Sequence, residues 1–136
     1  MSVDVVQALY DRFNARDLEG MADTVTEDFV LEDMALGLRF EGRDGLMQWL
    51  DGFLTAMPDS STEVTRVVDG GEWIATEHTG RGTHTGPLVT PAGEIPASGR
   101  SVELKFGEFF LIRDGRIALF RAYWDAATLL RQIGAM

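Results

Sequence analysis

Apolar positions follow two different rhythms along the chain. Up to about residue 57 most recur at three- and four-residue spacing, as on the buried face of a helix; from Thr62 on they mostly alternate with polar ones, as in strands. The most strongly patterned stretch is Ser101 to Asp125. Val102, Leu104, Phe106, Phe110 and Ile112 share one face of its first strand, and Glu108 falls on that same face. Asp114-Gly115, between Arg113 and Arg116, reads as the turn of a hairpin. Further strands are predicted over about 62–69 and 72–84, with the Asp69-Gly70-Gly71 turn between them, and the hairpin supplies strands over 101–113 and 116–124.

The first half reads as helices with short strands between. Val6, Leu9, Tyr10 and Phe13 predict a helix over 3–16. Asp17 caps a second over about 18–26, with Leu18, Met21, Ala22 and Val25 as its apolar side. Phe29 to Met34 alternates, placing Phe29, Leu31 and Asp33 together, and Leu38 and Phe40 suggest another short strand. After a turn at Gly42-Arg43-Asp44-Gly45, a third helix is predicted over 44–57, with Leu46, Trp49, Leu50, Phe53 and Met57 on one side and Pro58 as its stop. Residues 85–99 are rich in Gly and Pro and read as a long loop, a lid or an interface arm. A short helix over 126–133, with Asp125 as its N-cap, ends the chain.

Helices followed by antiparallel strands make an α+β single domain over 1–136. A strongly curved sheet closing over three N-terminal helices would form a cone-shaped roll with a pocket inside it. With 45% hydrophobic residues the chain resembles a soluble globular protein. It has no cysteine, which removes disulfides, thiolate nucleophiles and cysteine-held metals. Neither a signal peptide nor a membrane-length apolar run is read, so a cytoplasmic protein is expected. Twelve basic against 22 acidic residues give a net charge of −10, which disfavours nucleic acid and anionic membranes and leaves an apolar small molecule as the natural partner.

Asp33 and Glu108 are the main chemical candidates, because each interrupts an apolar face and burying an unpartnered carboxylate is costly. The plain alternatives are a surface strand end for Asp33, and for Glu108 an outward bulge or a pair with an arginine. His78 shares its face with Ile74, Thr76, Gly80 and His84 and is either a site residue or a satisfied core histidine; His84, near the start of the loop, is expected to face solvent. Two histidines six residues apart on a strand do not suggest a metal, and no cofactor is expected. Trp49, Phe53, Phe106, Phe120 and Trp124 are candidate walls of an apolar pocket, or ordinary core.

Several segments together resemble the SnoaL-like polyketide cyclases and ketosteroid isomerases of the nuclear-transport-factor-2-like superfamily. Asn14 to Gly20 is similar to the turn after the first helix, Leu31-Glu32-Asp33 to the isomerases' strand bearing the base, and Phe40 to Asp44 to the lead into helix three. Gly82 to Gly86, Ile95 to Arg100 and Leu130 to Gly134 resemble the SnoaL-like branch. The resemblance implies a mixed, mainly antiparallel sheet and a homodimer formed through the face carrying Leu119, Arg121 and Tyr123. It implies cofactor-free isomerisation or cyclisation of an apolar carbonyl compound, with Asp33 as base and Glu108 as neutral acid or oxyanion donor. It also shows departures. The isomerases' oxyanion tyrosine falls at Leu9, with Tyr10 a helical step of ~100° away, and the cyclases' key aspartate falls at Ala122. Thr76-Glu77-His78 resembles the strand of epoxide hydrolases that carries an arginine, here replaced by His78, and their next aspartate becomes Gly80. A non-catalytic binding protein, or an epoxide hydrolase or dehydratase variant using Glu63, is the alternative.

Overall fold

The computed structural model describes residues Ser2 to Met136. Its elements are α1 (Ser2–Asn14), α2 (Leu18–Ala22), β1 (Val25–Asp33), β2 (Leu38–Glu41), α3 (Gly42–Ala56), β3 (Ser61–Gly70), β4 (Trp73–Thr83), β5 (Leu88–Thr90), β6 (Gly93–Ile95), β7 (Ser101–Arg113), β8 (Arg116–Tyr123) and α4 (Ala126–Gln132). Six strands form one open sheet in the order β2-β1-β8-β7-β4-β3. Only β1 and β8 run parallel; the other pairs are antiparallel. The fold is α+β with a mixed, mainly antiparallel sheet and a short last helix. No helix among the described residues is long and apolar enough to cross a membrane.

The alternation read in the sequence is the burial pattern observed. In β7 every second residue from Val102 to Ile112 is buried, Glu108 included. Asp114 and Gly115 both take positive φ, 53° and 75°, as a two-residue hairpin turn requires. α1 buries Val6, Leu9, Tyr10 and Phe13 and packs on β3, β4 and β8, whereas α3 packs on β1 and β2. The main core lies between these helices and the sheet, around Leu9, Phe29, Leu31, Ile74, Phe110 and Phe120.

Four expectations need correction. The second helix stops at Ala22, and Val25 opens β1 by pairing with Ile117 of β8. Its β-branched side chain serves a half-buried strand better than a helix end. The Gly42–Gly45 segment is the first turn of α3 rather than a separate turn. There the helix backbone comes close to Phe40, and a Cβ on Gly45 would lie 2.9 Å from the Phe40 carbonyl carbon. The arm over 85–99 contains the hairpin of β5 and β6. His84, expected at the surface, is buried at the root of that arm. Its backbone pairs with Arg100 and Gly99, and its Nδ1 accepts from the Ser98 amide at 3.1 Å. Closing the arm into a loop with a paired base is what covers this ring.

The arm is also tied to the end of α3. The amides of Thr85 and Gly86 both donate to the Ala56 carbonyl, one of the groups a helix end leaves unpaired. A Cβ on Gly86 would sit 1.9 Å from the Thr55 carbonyl oxygen. Gly86→Ala therefore has to push the arm off α3, and we expect a loss of about 1–3 kcal/mol in denaturant unfolding, whereas Gly52→Ala, with open space around its Cβ, should not destabilise. Equal stability of Gly86→Ala and wild type would contradict this docking.

Candidate functional site

The strand register sets out the site. Asp33 of β1 lies opposite Ala122 of β8, which lies opposite Glu108 of β7, which lies opposite Thr76 of β4. The two carboxylates thus share one transverse row, but with a whole strand between them, about 10 Å apart at the backbone. Ala122 is fully buried in the gap.

Their surroundings differ. Asp33 is 0% exposed, yet both of its carboxylate oxygens are occupied. Oδ1 accepts from the amides of Ala35 (3.1 Å) and Leu36 (3.0 Å) and from Trp124 Nε1 (3.0 Å), and Oδ2 accepts from Trp49 Nε1 (2.9 Å). Four N–H donors of this kind, each contributing about 1.5–3 kcal/mol to an ionised acceptor, offset much of the cost of taking the group out of water. Asp33 is not among the residues that line the internal cavity.

Glu108 is 1% exposed and does line that cavity. Its Oε1 accepts from the Tyr10 hydroxyl at 2.5 Å. The Tyr10 oxygen lies 2.6 Å from Thr76 Oγ1, and since the phenol has one hydrogen and gives it to Glu108, Thr76 is the donor in that contact. A relay Thr76 to Tyr10 to Glu108 results, each bond polarising the next. His78 Nδ1 is also 3.0 Å from Glu108 Oε1. That separation is short, but the geometry does not make it a hydrogen bond. The ring is fixed instead by stacking on Phe106, with centroids 4.5 Å apart and planes 6° from parallel. Among the described residues none donates to Glu108 Oε2, which leaves this carboxylate capacity for a ligand.

Most of the cavity wall is apolar. Trp49, Phe53, Phe106 and Phe120 line it with Leu9 and Met21, and Arg81 and Ser60 to Thr62 stand among its polar lining. The volume open to the centre of a water-sized sphere is about 80 Å³. Trp124 lies outside it, on a groove between α3, the β5–β6 hairpin and α4. Glu63 is exposed and pairs with Arg81, far from the role of a buried carboxylate. Asp125 caps α4 through the Ala127 amide. No group of three or more His, Asp or Glu among the described residues is placed to hold a metal ion.

Tyr10 is the site residue that alignment by position passes over, since the family tyrosine falls one residue earlier. Its own pattern carried the signal. It lies on the α1 stripe with Val6 and Phe13, and a buried phenol needs a polar partner. Leu9, one step round, packs in the same core but has no hydroxyl to offer.

A model of the family described as SnoaL-like polyketide cyclase matches residues 3–133. No curated protein matches the chain significantly. Among solved structures, wild-type IdmH from Streptomyces antibioticus, a proposed polyketide cyclase, is 27% identical, covers 98% of this chain and 99% of its own, and superposes with a TM-score of 0.82. A proposed SnoaL-like polyketide cyclase from Jannaschia Sp. CCS1 is 21% identical over 99% of this chain and 92% of that one, with a TM-score of 0.88. TerC, co-crystallised with polyporic acid, is 18% identical over 98% of each chain, with a TM-score of 0.78. The last two likenesses speak for the fold alone.

Burial, and then the negative charge of Glu108, push the Tyr10 hydroxyl well above the usual tyrosine value. A group whose native pKa is raised stabilises the fold below its unfolded pKa, about 10, and that stability is lost as pH rises through the native value. In a Tyr123→Phe background, where Tyr10 is the remaining tyrosine, tyrosinate absorbance should appear only well above pH ~10, together with unfolding. Ordinary titration in the folded protein would contradict the relay.

Proposed function

The chain belongs to the SnoaL-like polyketide cyclase family, and from that premise we propose that it is a cofactor-free acid–base enzyme acting on an apolar, carbonyl-containing small molecule. The observation that carries this reading is one buried carboxylate, Glu108, on the wall of an apolar cavity, held by the Tyr10 hydroxyl at 2.5 Å. Glu108 takes a proton from the carbon beside a carbonyl. The C–H electron pair becomes an enolate, and His78, on the same cavity wall, donates to its oxygen. Where a C=C extends the enolate, returning the proton to its far carbon gives isomerisation; attack of the enolate carbon on a second carbonyl of the same molecule forms an alkoxide that takes the proton back from Glu108, which gives cyclisation. Tyr10 steadies the carboxylate before transfer. Asp33 takes no part in the proton transfer in this proposal, although its position matches the isomerases' base, because its oxygens are occupied by four donors and two of these are the indoles that cover it.

A second reading, a binding protein that does no chemistry, draws support from Ala122, buried where the cyclases carry their aspartate. One experiment separates the two. 2-Tetralone, an apolar ketone, is incubated in deuterated buffer with wild type, Glu108→Gln and Tyr10→Phe, and exchange beside the carbonyl is followed by NMR. Binding of 2-naphthol, which mimics the enol, is measured in parallel. Glu108→Gln should slow the enzyme-dependent exchange by ~10²–10⁴-fold, and Tyr10→Phe by less. Naphthol binding without exchange in the wild type favours the binding protein. Unchanged exchange in Glu108→Gln removes Glu108 as the base.

The same proposal extends to a homodimer through the outer face of the sheet. There Phe109 and Tyr123 stand more than 40% exposed with their rings 6.0 Å apart, edge to face. Sedimentation of a monomer at micromolar concentration would remove it; a dimer weakened by Phe109→Glu would support it.

A further inference from the structure

Two apolar compartments meet at the aromatic residues of α3. Trp49 and Phe53 line both the cavity that holds Glu108 and a second groove beside it. The groove runs between α3, the β5–β6 hairpin and α4 and is lined by Leu38, Leu88, Val89, Ile95 and Leu130 among others. Its volume is about 780 Å³ against about 80 Å³ for the cavity.

The partition between them is built unevenly. Trp49 is held by the hydrogen bond from its indole to Asp33 and by an edge contact with Phe120. Trp124 is held by its own hydrogen bond to Asp33 and by contact with Phe106. Phe53 stands between the two indoles, 5.1 Å from one and 5.8 Å from the other, and has no polar anchor. One buried carboxylate therefore holds the indoles on both sides, while Phe53 between them is held by ring contacts alone, with Trp49, Phe106 and Trp124. Val89 projects from the facing hairpin with 66% of its surface exposed, an apolar side chain with nothing over it.

From this juxtaposition we propose that the cavity and the groove form one two-chamber site for an elongated apolar substrate. Its reacting carbonyl end lies against Glu108, its remaining length passes Phe53, and its tail rests in the groove under the β5–β6 hairpin. This rests on the proposed acid–base role of the cavity and adds the substrate's shape to it. Continuity of the walls argues for one occupant rather than two. The inner chamber is narrow, and the groove, lined mainly by carbon, offers few polar groups to an independent ligand. Phe53 then determines specificity by setting the width between the chambers, and Asp33 is a positioning residue that fixes the frame.

The test uses 4-alkylphenols from ethyl to nonyl, whose phenol end mimics the enol, titrated into wild type, Val89→Asp and Phe53→Ala. The readout is the slope of affinity against chain length. Wild type should gain about threefold to fourfold per added methylene once the chain reaches the groove. Val89→Asp should flatten that slope, and Phe53→Ala should let a branched tail bind as well as a linear one. A flat slope in wild type, with the short phenol still bound, overturns the two-chamber site and leaves the acid–base reading standing. A steep slope that Val89→Asp does not alter also overturns it, because the tail then lies elsewhere. If no phenol of any length binds, the acid–base reading falls together with this one.

Discussion

The Asp33 carboxylate, with no surface open to solvent, is the point where three parts of the chain are joined. It ends β1, it accepts the indole of Trp49 from α3, and it accepts the indole of Trp124 from the segment after β8. It also closes its own turn through the amides of Ala35 and Leu36. A carboxylate in an apolar interior is costly unless its oxygens are filled, and here two of the filling groups are indoles that line the cavity and the groove. The cost of burial and the shape of the site are therefore coupled: these walls stay in place because the carboxylate needs them.

Glu108 shows the opposite arrangement in the same row of the sheet. Tyr10 satisfies one of its oxygens, and the rest of the carboxylate borders an apolar cavity. A saturated carboxylate is structural, whereas one short of partners can still bind or exchange a proton. Ala122 keeps the two apart. A carboxylate at that position would stand between two others on adjoining strands, where like charges oppose one another.

Much of this was legible before any coordinates. Period-two alternation found β7 and β8, the Asp114-Gly115 pair found their turn, and the apolar stripes found α1 and α3 within a few residues. Asp33 and Glu108 stood out because an acid on an apolar face has no cheap explanation. Pattern reading was weaker where two rules compete. Val25 fits a helix stripe and a strand equally, and pairing with Ile117 decided for the strand. Gly42 to Gly45 carries turn residues, yet the helix used them for its close approach to Phe40. His84 gave no sign of burial, since the pairing that covers it involves Ser98 to Arg100, fourteen and more residues away.

By itself the sequence determined the class of fold, which face of each main strand is buried, and which acids demand an account, because those follow from local periodicity and from the cost of burying charge. It could not determine which acid has free capacity. That depends on donors brought from distant segments: Trp49 and Trp124 to Asp33, across 16 and 91 residues, and Tyr10 to Glu108, across 98. Hydrogen-bond partners are fixed by positions in space, and positions in space come from strand register and helix packing. Only the tertiary structure could therefore distinguish a carboxylate with both oxygens occupied from one with an oxygen left over.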